Sequence, residues 1–297
     1  MTRRFRRRLN QGRKALILGL LAGSLLSVPS LAQVRTPQAS GTTVFSNGSA
    51  VIDASNASQG YVMVKYSGGT SRIKVRISKG TEYTYDLNTA GNYEVFPLTE
   101  GSGTYTIKVF QQVQGTSYAQ VMSQTVTANI GYSQSPFLYP NQFCNFNANS
   151  AVVAKAAELT GGIADPLAKV QAVYRYAIDH ISYDYQKAAS VQSGYLPVPD
   201  ATLASGKGIC FDYAAVMTSM LRSQDIPTKL VIGYTGGTYH AWVSVYLSGQ
   251  GWVDNIIYFD GTNWRYMDPT FASSGKGDAS VSNYISNQSN YQAKFTY

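Results

Sequence analysis

From about Gly41 to Ile130, apolar and polar residues alternate with a period of two, and turn residues separate the runs. TTVFSNGSAVID, YVMVKY, RIKVRIS, EYTYDL, YEVFPL, TYTIKVFQ and YAQVMSQTVTANI each read as a candidate strand. Val62, Val64 and Tyr66 fall on one face, and so do Ile73, Val75 and Ile77. Gly68-Gly69, Lys79-Gly80, Ala90-Gly91 and Gly101-Ser102-Gly103 punctuate the series. Short strands at this spacing predict an antiparallel β-sandwich, Ig-like in outline, over residues 33–131. This half holds no His or Cys, and its tyrosines are expected to pack half-buried rather than to bind a partner.

The alternation breaks at GYSQSPFLYPNQFCNFNANS, so residues 132–150 read as a linker. Beyond it the period becomes helical, and residues 151–297 read as a second, α+β domain. Asn149 or Ser150 can cap AVVAKAAEL, and Asp165 can cap a helix that carries Pro166 at its first position. In that helix Leu167, Val170, Tyr174, Ala177 and Ile181 form one apolar stripe. His180 lies off the stripe near the helix end, where it is expected to face solvent or to meet terminal carbonyls. YDYQKAASVQSGYLPVPDATLAS follows with few regular signals. It reads either as the wall of a cleft or as a surface loop around a short helix capped by Asp200.

Residues 1–32 change the charge picture. MTRRFRRRLNQGRK is basic, ALILGLLAGSLLSV is apolar, and PSLA ends in small residues suited to cleavage after Ala32. This pattern predicts a signal peptide, too short in its apolar run to span a membrane, and hence a protein that is secreted or held in the cell envelope, with no stable membrane insertion after cleavage. The chain has 24 Lys+Arg against 16 Asp+Glu, and removing the seven cations of residues 1–32 leaves a net charge of only +1. No basic patch survives to bind nucleic acid. The two cysteines, Cys144 and Cys210, can pair in an oxidising compartment, but one pair is too few for a disulfide framework.

Cys210 has a distinctive address. It follows the glycines of GKGI and precedes an apolar helical run in which Cys210, Ala214, Met217 and Leu221 share one line. A thiol in the first turn of a helix meets unpaired N–H groups and the positive end of the dipole, which favour thiolate. A nucleophilic thiol needs a base, and His240 in GGTYHAWVSVYL starts a strand after a glycine turn. The alternative for His240 is a lone histidine satisfied by a backbone carbonyl. An orienting carboxylate completes such a set. Asp268 in NWRYMDPTF stands before a proline that holds it extended, and Asp254 in GWVDNIIYF is its rival. Asp260 reads as part of a tight Asp-Gly turn, and Asp212 as a first-turn carboxylate that opposes thiolate formation.

The order of helix cysteine, strand histidine and strand aspartate resembles the transglutaminase-like superfamily. The residues that carry the resemblance are GKGICFDYAAVMTSMLRSQDIPTKLVIGY, YHAWVSVYL and MDPTF, within about Ala151 to Ser273. The resemblance implies a papain-like cysteine fold, with Cys210 as nucleophile, His240 as base and acid, and Asp268 as orienter. The insert SGQGWVDNIIYFDGTN between the last two strands is longer than the family's usual hairpin and keeps Asp254 in contention. The activity implied is acyl transfer at a glutamine carboxamide or peptide carbonyl. The substrate would be a protein, a peptide or a cell-wall peptide, and no metal or cofactor is needed. A protease or amidase with the same triad is one alternative, and a non-catalytic binding scaffold is the other.

Overall fold

The computed structural model describes residues 34–69, 71–254, 257–259, 264–266 and 287–297. The amino-terminal half is a sandwich of two four-stranded antiparallel sheets. Its strands are β1 (Val44–Ser46), β2 (Ala50–Asp53), β3 (Tyr61–Tyr66), β4 (Ile73–Ser78), β5 (Glu82–Asp86), β6 (Glu94–Pro97), β7 (Gly103–Gln114) and β8 (Ser117–Ala128). One sheet runs β1-β2-β3-β6 and the other β5-β4-β7-β8. The alternation has its expected cause: Val62, Val64, Ile73, Val75 and Ile77 are all buried in the interior. The first apolar run yields two strands rather than one, because Asn47-Gly48 folds it into a hairpin. Gly48 adopts φ +93°, and the Asn47 side-chain oxygen accepts the Ala50 N–H at 2.8 Å.

Among its described residues the second half has five α-helices, α1 (Ala151–Thr160), α2 (Pro166–His180), α3 (Tyr185–Ser190), α4 (Pro199–Ser205) and α5 (Cys210–Ser223). Between them lie the short strands β9 (Ser182–Tyr183) and β10 (Lys207–Gly208), which pair in parallel. Six more strands follow among the described residues: β11 (Thr228–Thr235), β12 (Thr238–Leu247), β13 (Gly251–Val253), the paired β14 (Ile257–Phe259) and β15 (Trp264–Tyr266), and then β16 (Tyr291–Thr296). β11, β12, β13 and β16 make a sheet in the order β13-β12-β11-β16. α5 packs against α1, α2 and α4 as well as against β11 and β12. Enclosure by these elements explains why every residue from Asp212 to Ser223 is buried, where a single stripe was predicted.

Local sequence sets the helix starts. Asp165 accepts the Ala168 N–H at 3.0 Å with Pro166 at the first position of α2. Asp184 does the same for the Lys187 N–H at the start of α3, at 2.9 Å. Asp200 does not cap α4, whose cap position is Val198; its carboxylate instead accepts the Val152 N–H of α1 at 2.9 Å.

The described residues belong to one compact unit. In the stretch read as a linker, Gln134 to Asn141 are buried, as are Cys144 and Phe146. Aromatic rings cross the junction: Tyr85 of the sandwich meets Phe143 and Tyr297 at centroid distances of 6.0 and 5.9 Å, and Tyr83 meets Phe295 at 5.5 Å. Among the described residues, no helix is long and apolar enough to cross a membrane.

Candidate active site

Cys210 is the first residue of α5, and its side chain is only partly buried. The two turns before it are built by close approach. Gly206 ends α4 at φ +61°, and its C=O accepts the Ser182 N–H at 2.9 Å. The Gly208 C=O accepts the Asp184 N–H at 2.9 Å. A Cβ on Gly208 would lie 2.6 Å from Cβ of Asp212, so only glycine lets the chain pass the first turn of α5. These bonds pin the approach to Cys210 onto the segment that leaves α2.

Asp212, two residues into the helix, is fully buried. Its carboxylate accepts the Ile209 N–H at 2.8 Å, capping α5 from within. It also receives the Lys187 ammonium at 2.8 Å and the Tyr195 hydroxyl, with the Thr202 hydroxyl at 3.5 Å. Partial burial opposes the Lys187 charge, but its bonds to Asp212 and Tyr195 outweigh that and its pKa rises. Burial first, and then the bond to Asp212, pushes the Tyr195 phenol up. Sequence reading missed this cluster, because Lys187 and Tyr195 lie in the segment with few regular signals.

Tyr183 pairs in register with Gly208, two residues before Cys210. Burial, followed by the charge at Cys210, raises the Tyr183 pKa; burial, Tyr234 and Cys210 raise that of Tyr239. Tyr183 packs edge-on to Tyr185 at 4.9 Å, and Tyr239 to Tyr234 at 5.5 Å. Phe211, next to Cys210, packs against Phe143 and Tyr195.

His240 lies on β12, opposite Gly233 of β11, and is 5 % exposed. Its ring runs nearly parallel to that of Trp242, with centroids 6.3 Å apart. The structure thus brings the helix bearing Cys210 against the strand bearing His240. Asp268 lies outside the described residues, as does Asp260. Asp254 is exposed and, with Lys229, Trp242, Ser244 and Tyr291, lines a cavity of about 310 Å³. Burial lowers the Lys229 pKa and the charge of Asp254 partly offsets this.

The remaining candidates have structural partners. His180 is exposed, with Nδ1 3.0 Å from the Tyr176 carbonyl oxygen and its ring stacked on Tyr176. Both cysteines are free thiols, so the Cys144–Cys210 pairing is not formed. Cys144 is fully buried, donates to Asn141 Oδ1 at 3.5 Å and accepts from Arg222 Nη1 at 3.2 Å. Burial pushes its pKa up against the pull of Arg222.

Residues 153–269 match the family model of the transglutaminase-like superfamily. The chain is similar to the uncharacterized protein YebA of Bacillus subtilis, 26 % identical over 211 residues that cover 65 % of this chain and 26 % of that one. It is also similar to a protein-glutamine gamma-glutamyltransferase of Pseudomonas aeruginosa, 30 % identical over 122 residues that cover 36 % of this chain and 18 % of that one. The matched part thus spans about a quarter or less of these relatives' length. Among solved structures, a candidate cysteine protease from Cytophaga hutchinsonii aligns over 86 % of this chain and 73 % of its own, with 15 % identity and a TM-score of 0.41. Red sea bream transglutaminase aligns over 73 % of this chain and 49 % of its own, with 12 % identity and a TM-score of 0.31. Residues 153–269 of this chain are a transglutaminase-like superfamily domain, set behind an amino-terminal β-sandwich.

Proposed function

We propose that the protein is an exported thiol enzyme that transfers the acyl group of a glutamine carboxamide, with Cys210 as nucleophile, His240 as base and acid, and Asp268 as orienter. The observation that carries this reading is the position of Cys210. It is the first residue of a buried helix, partly exposed, inside the family segment 153–269. The helix terminus supplies N–H groups and positive potential to a thiolate there. In the reaction, the Cys210 sulfur attacks the carboxamide carbon, a C–S bond replaces the C–N bond, and His240 gives its proton to the departing ammonia. A primary amine then attacks the thioester, loses its proton to His240 and releases the thiolate. The Cys210 N–H is a natural donor to the oxyanion formed in both steps.

The substrate class is a glutamine-bearing protein, peptide or cell-wall peptide met outside the cytoplasm. Support for export comes from the basic and apolar pattern of residues 1–32. Incubation with a glutamine peptide and a lysine analogue is expected to give a covalent adduct by mass spectrometry, absent in Cys210→Ala. Cleaved or deamidated peptide alone, even at high amine concentration, would instead assign a cysteine hydrolase. No product of any kind would leave a binding scaffold. In the same assay Asp268→Asn is expected to lower turnover by about 10³-fold or more. If Asp254→Asn abolishes turnover and Asp268→Asn keeps it, the orienting role belongs to Asp254.

A further inference from the structure

We propose that Lys187 and Tyr195 act as positioning residues that cancel the charge of Asp212 beside Cys210 and so permit the thiolate to form. The inference rests on the reading of Cys210 as the nucleophile. The first turn of α5 holds two groups that compete for the same positive potential, the Cys210 sulfur and the Asp212 carboxylate. Asp212 reaches back to the Ile209 amide, the peptide group immediately before Cys210, at 2.8 Å. With no exposed surface, its charge is not screened by water. Left alone, such a carboxylate would work against an anion on the neighbouring sulfur.

The structure meets that carboxylate from three other elements. Lys187 approaches from α3 at 2.8 Å and retains partial exposure, so its ammonium remains partly hydrated. Tyr195 donates its hydroxyl from the turn that follows, and Thr202 approaches from α4. Lys187 also touches the Tyr195 oxygen at 2.6 Å, closing the three groups into one cluster. Tyr183 of β9 pairs in register with Gly208, two residues before Cys210, and Tyr239 and His240 follow one another on β12, the strand against which α5 packs. Of these groups, Lys187 is the cation held directly on Asp212.

The cluster also links position to charge. Asp184 caps α3, and Lys187 ties that helix to the start of α5. The segment bearing Tyr183 and Tyr185 is therefore tied to the start of α5 by the same bond that neutralises Asp212, in addition to its pairing with Gly208. A purely structural pair would hold the segment without shifting the thiol's titration.

The test is the pH dependence of iodoacetamide alkylation at Cys210 in the full-length chain, read by peptide mapping with the buried Cys144 as internal reference. In Lys187→Met the midpoint is expected to rise by about one pH unit, which slows alkylation about tenfold below the midpoint. The plateau rate at high pH should not change. Lys187→Arg is expected to keep the wild-type midpoint, because the charge is retained. In an Asp212→Asn background, Lys187→Met should no longer move the midpoint. Lys187→Gln takes the place of the methionine variant if that chain does not fold. A midpoint unmoved in the charge-removing variant, or a shift that persists undiminished without Asp212, overturns the inference. If wild-type Cys210 itself titrates like a free cysteine, the nucleophile reading fails and takes this one with it. A depressed wild-type midpoint that Lys187→Met leaves in place overturns the cluster's role alone.

Discussion

Arg222 of α5 has its guanidinium buried where the connecting segment, the start of β11 and Tyr297 meet, with 1 % of the residue exposed. Its described partners are main-chain oxygens and one sulfur: Thr228 O at 2.9 Å from Nε, Tyr297 O at 2.7 Å from Nη2, Tyr139 O from Nη1, and Cys144 Sγ. Burial lowers its pKa, yet the planar fork satisfies carbonyls from three segments that no other side chain could reach together. Arg222→Met would keep the packing volume but remove the donor shared by the Thr228, Tyr139 and Tyr297 oxygens, of which Tyr297 O still accepts the Leu230 N–H at 3.0 Å. We expect a loss of about 3 kcal/mol or more in unfolding free energy, measured by denaturant titration. Arg222→Lys should recover only part of it, since one ammonium cannot span the three directions. A methionine variant as stable as the wild type would mean that water replaces the guanidinium.

Elements were legible in the sequence to the extent that their residues repeat within a few positions. Ile73, Val75 and Ile77, like Val62, Val64 and Tyr66, bury at period two, and α2 buries Val170, Tyr174 and Ala177 along its stripe. The hairpin of β1 and β2 was readable from Asn47-Gly48 and was run together in one strand. The two short helices α3 and α4 span six and seven residues, less than the two turns in which a stripe can show. Asp200 looks like a cap for its own helix and instead serves α1, because tertiary contact decides which N–H it meets. The charge on Asp212 was legible, but its neutralisation was not, since Lys187 lies 25 residues away. The cap of α3 gives a prediction at this scale. Asp184→Ala removes the acceptor of the Lys187 N–H and should cost about 1 kcal/mol. Hydrogen exchange is expected to speed up over residues 185–190, while the interior of α5 stays protected. Faster exchange throughout α5 would show that the two helices open as one unit.

At the scale of the molecule, the chemistry was readable from the second half, whereas the dependence of that half on the first was not. A change of period at Tyr132 marks where strands give way to helices, and nothing in the local pattern records which rings later meet across that point. In the structure the core is continuous: Tyr83 and Tyr85 from β5 pack on Tyr297, Tyr297 packs on Phe143 at 4.1 Å, and Phe143 packs on Phe211, the residue after Cys210. Trp252 of β13 meets Phe137 of the connecting segment at 5.1 Å, and Gln142 donates to Glu94 and to the Asp86 carbonyl in the sandwich. Removing residues 33–131 would strip these rings of their partners and expose an aromatic face two steps from the thiol. Each large ring so exposed forfeits about 1.5–3 kcal/mol of burial, a sizeable share of the stability of an ordinary domain. We therefore expect the chain from Gln33 to unfold in one cooperative transition, with near-ultraviolet circular dichroism and Cys210 alkylation changing together. A fragment starting at Tyr132 is expected to melt well below the longer chain and to bind a hydrophobic dye. Two separated transitions, or a fragment that matches the longer chain in melting temperature and alkylation rate, would show that the rings contribute contact without coupling.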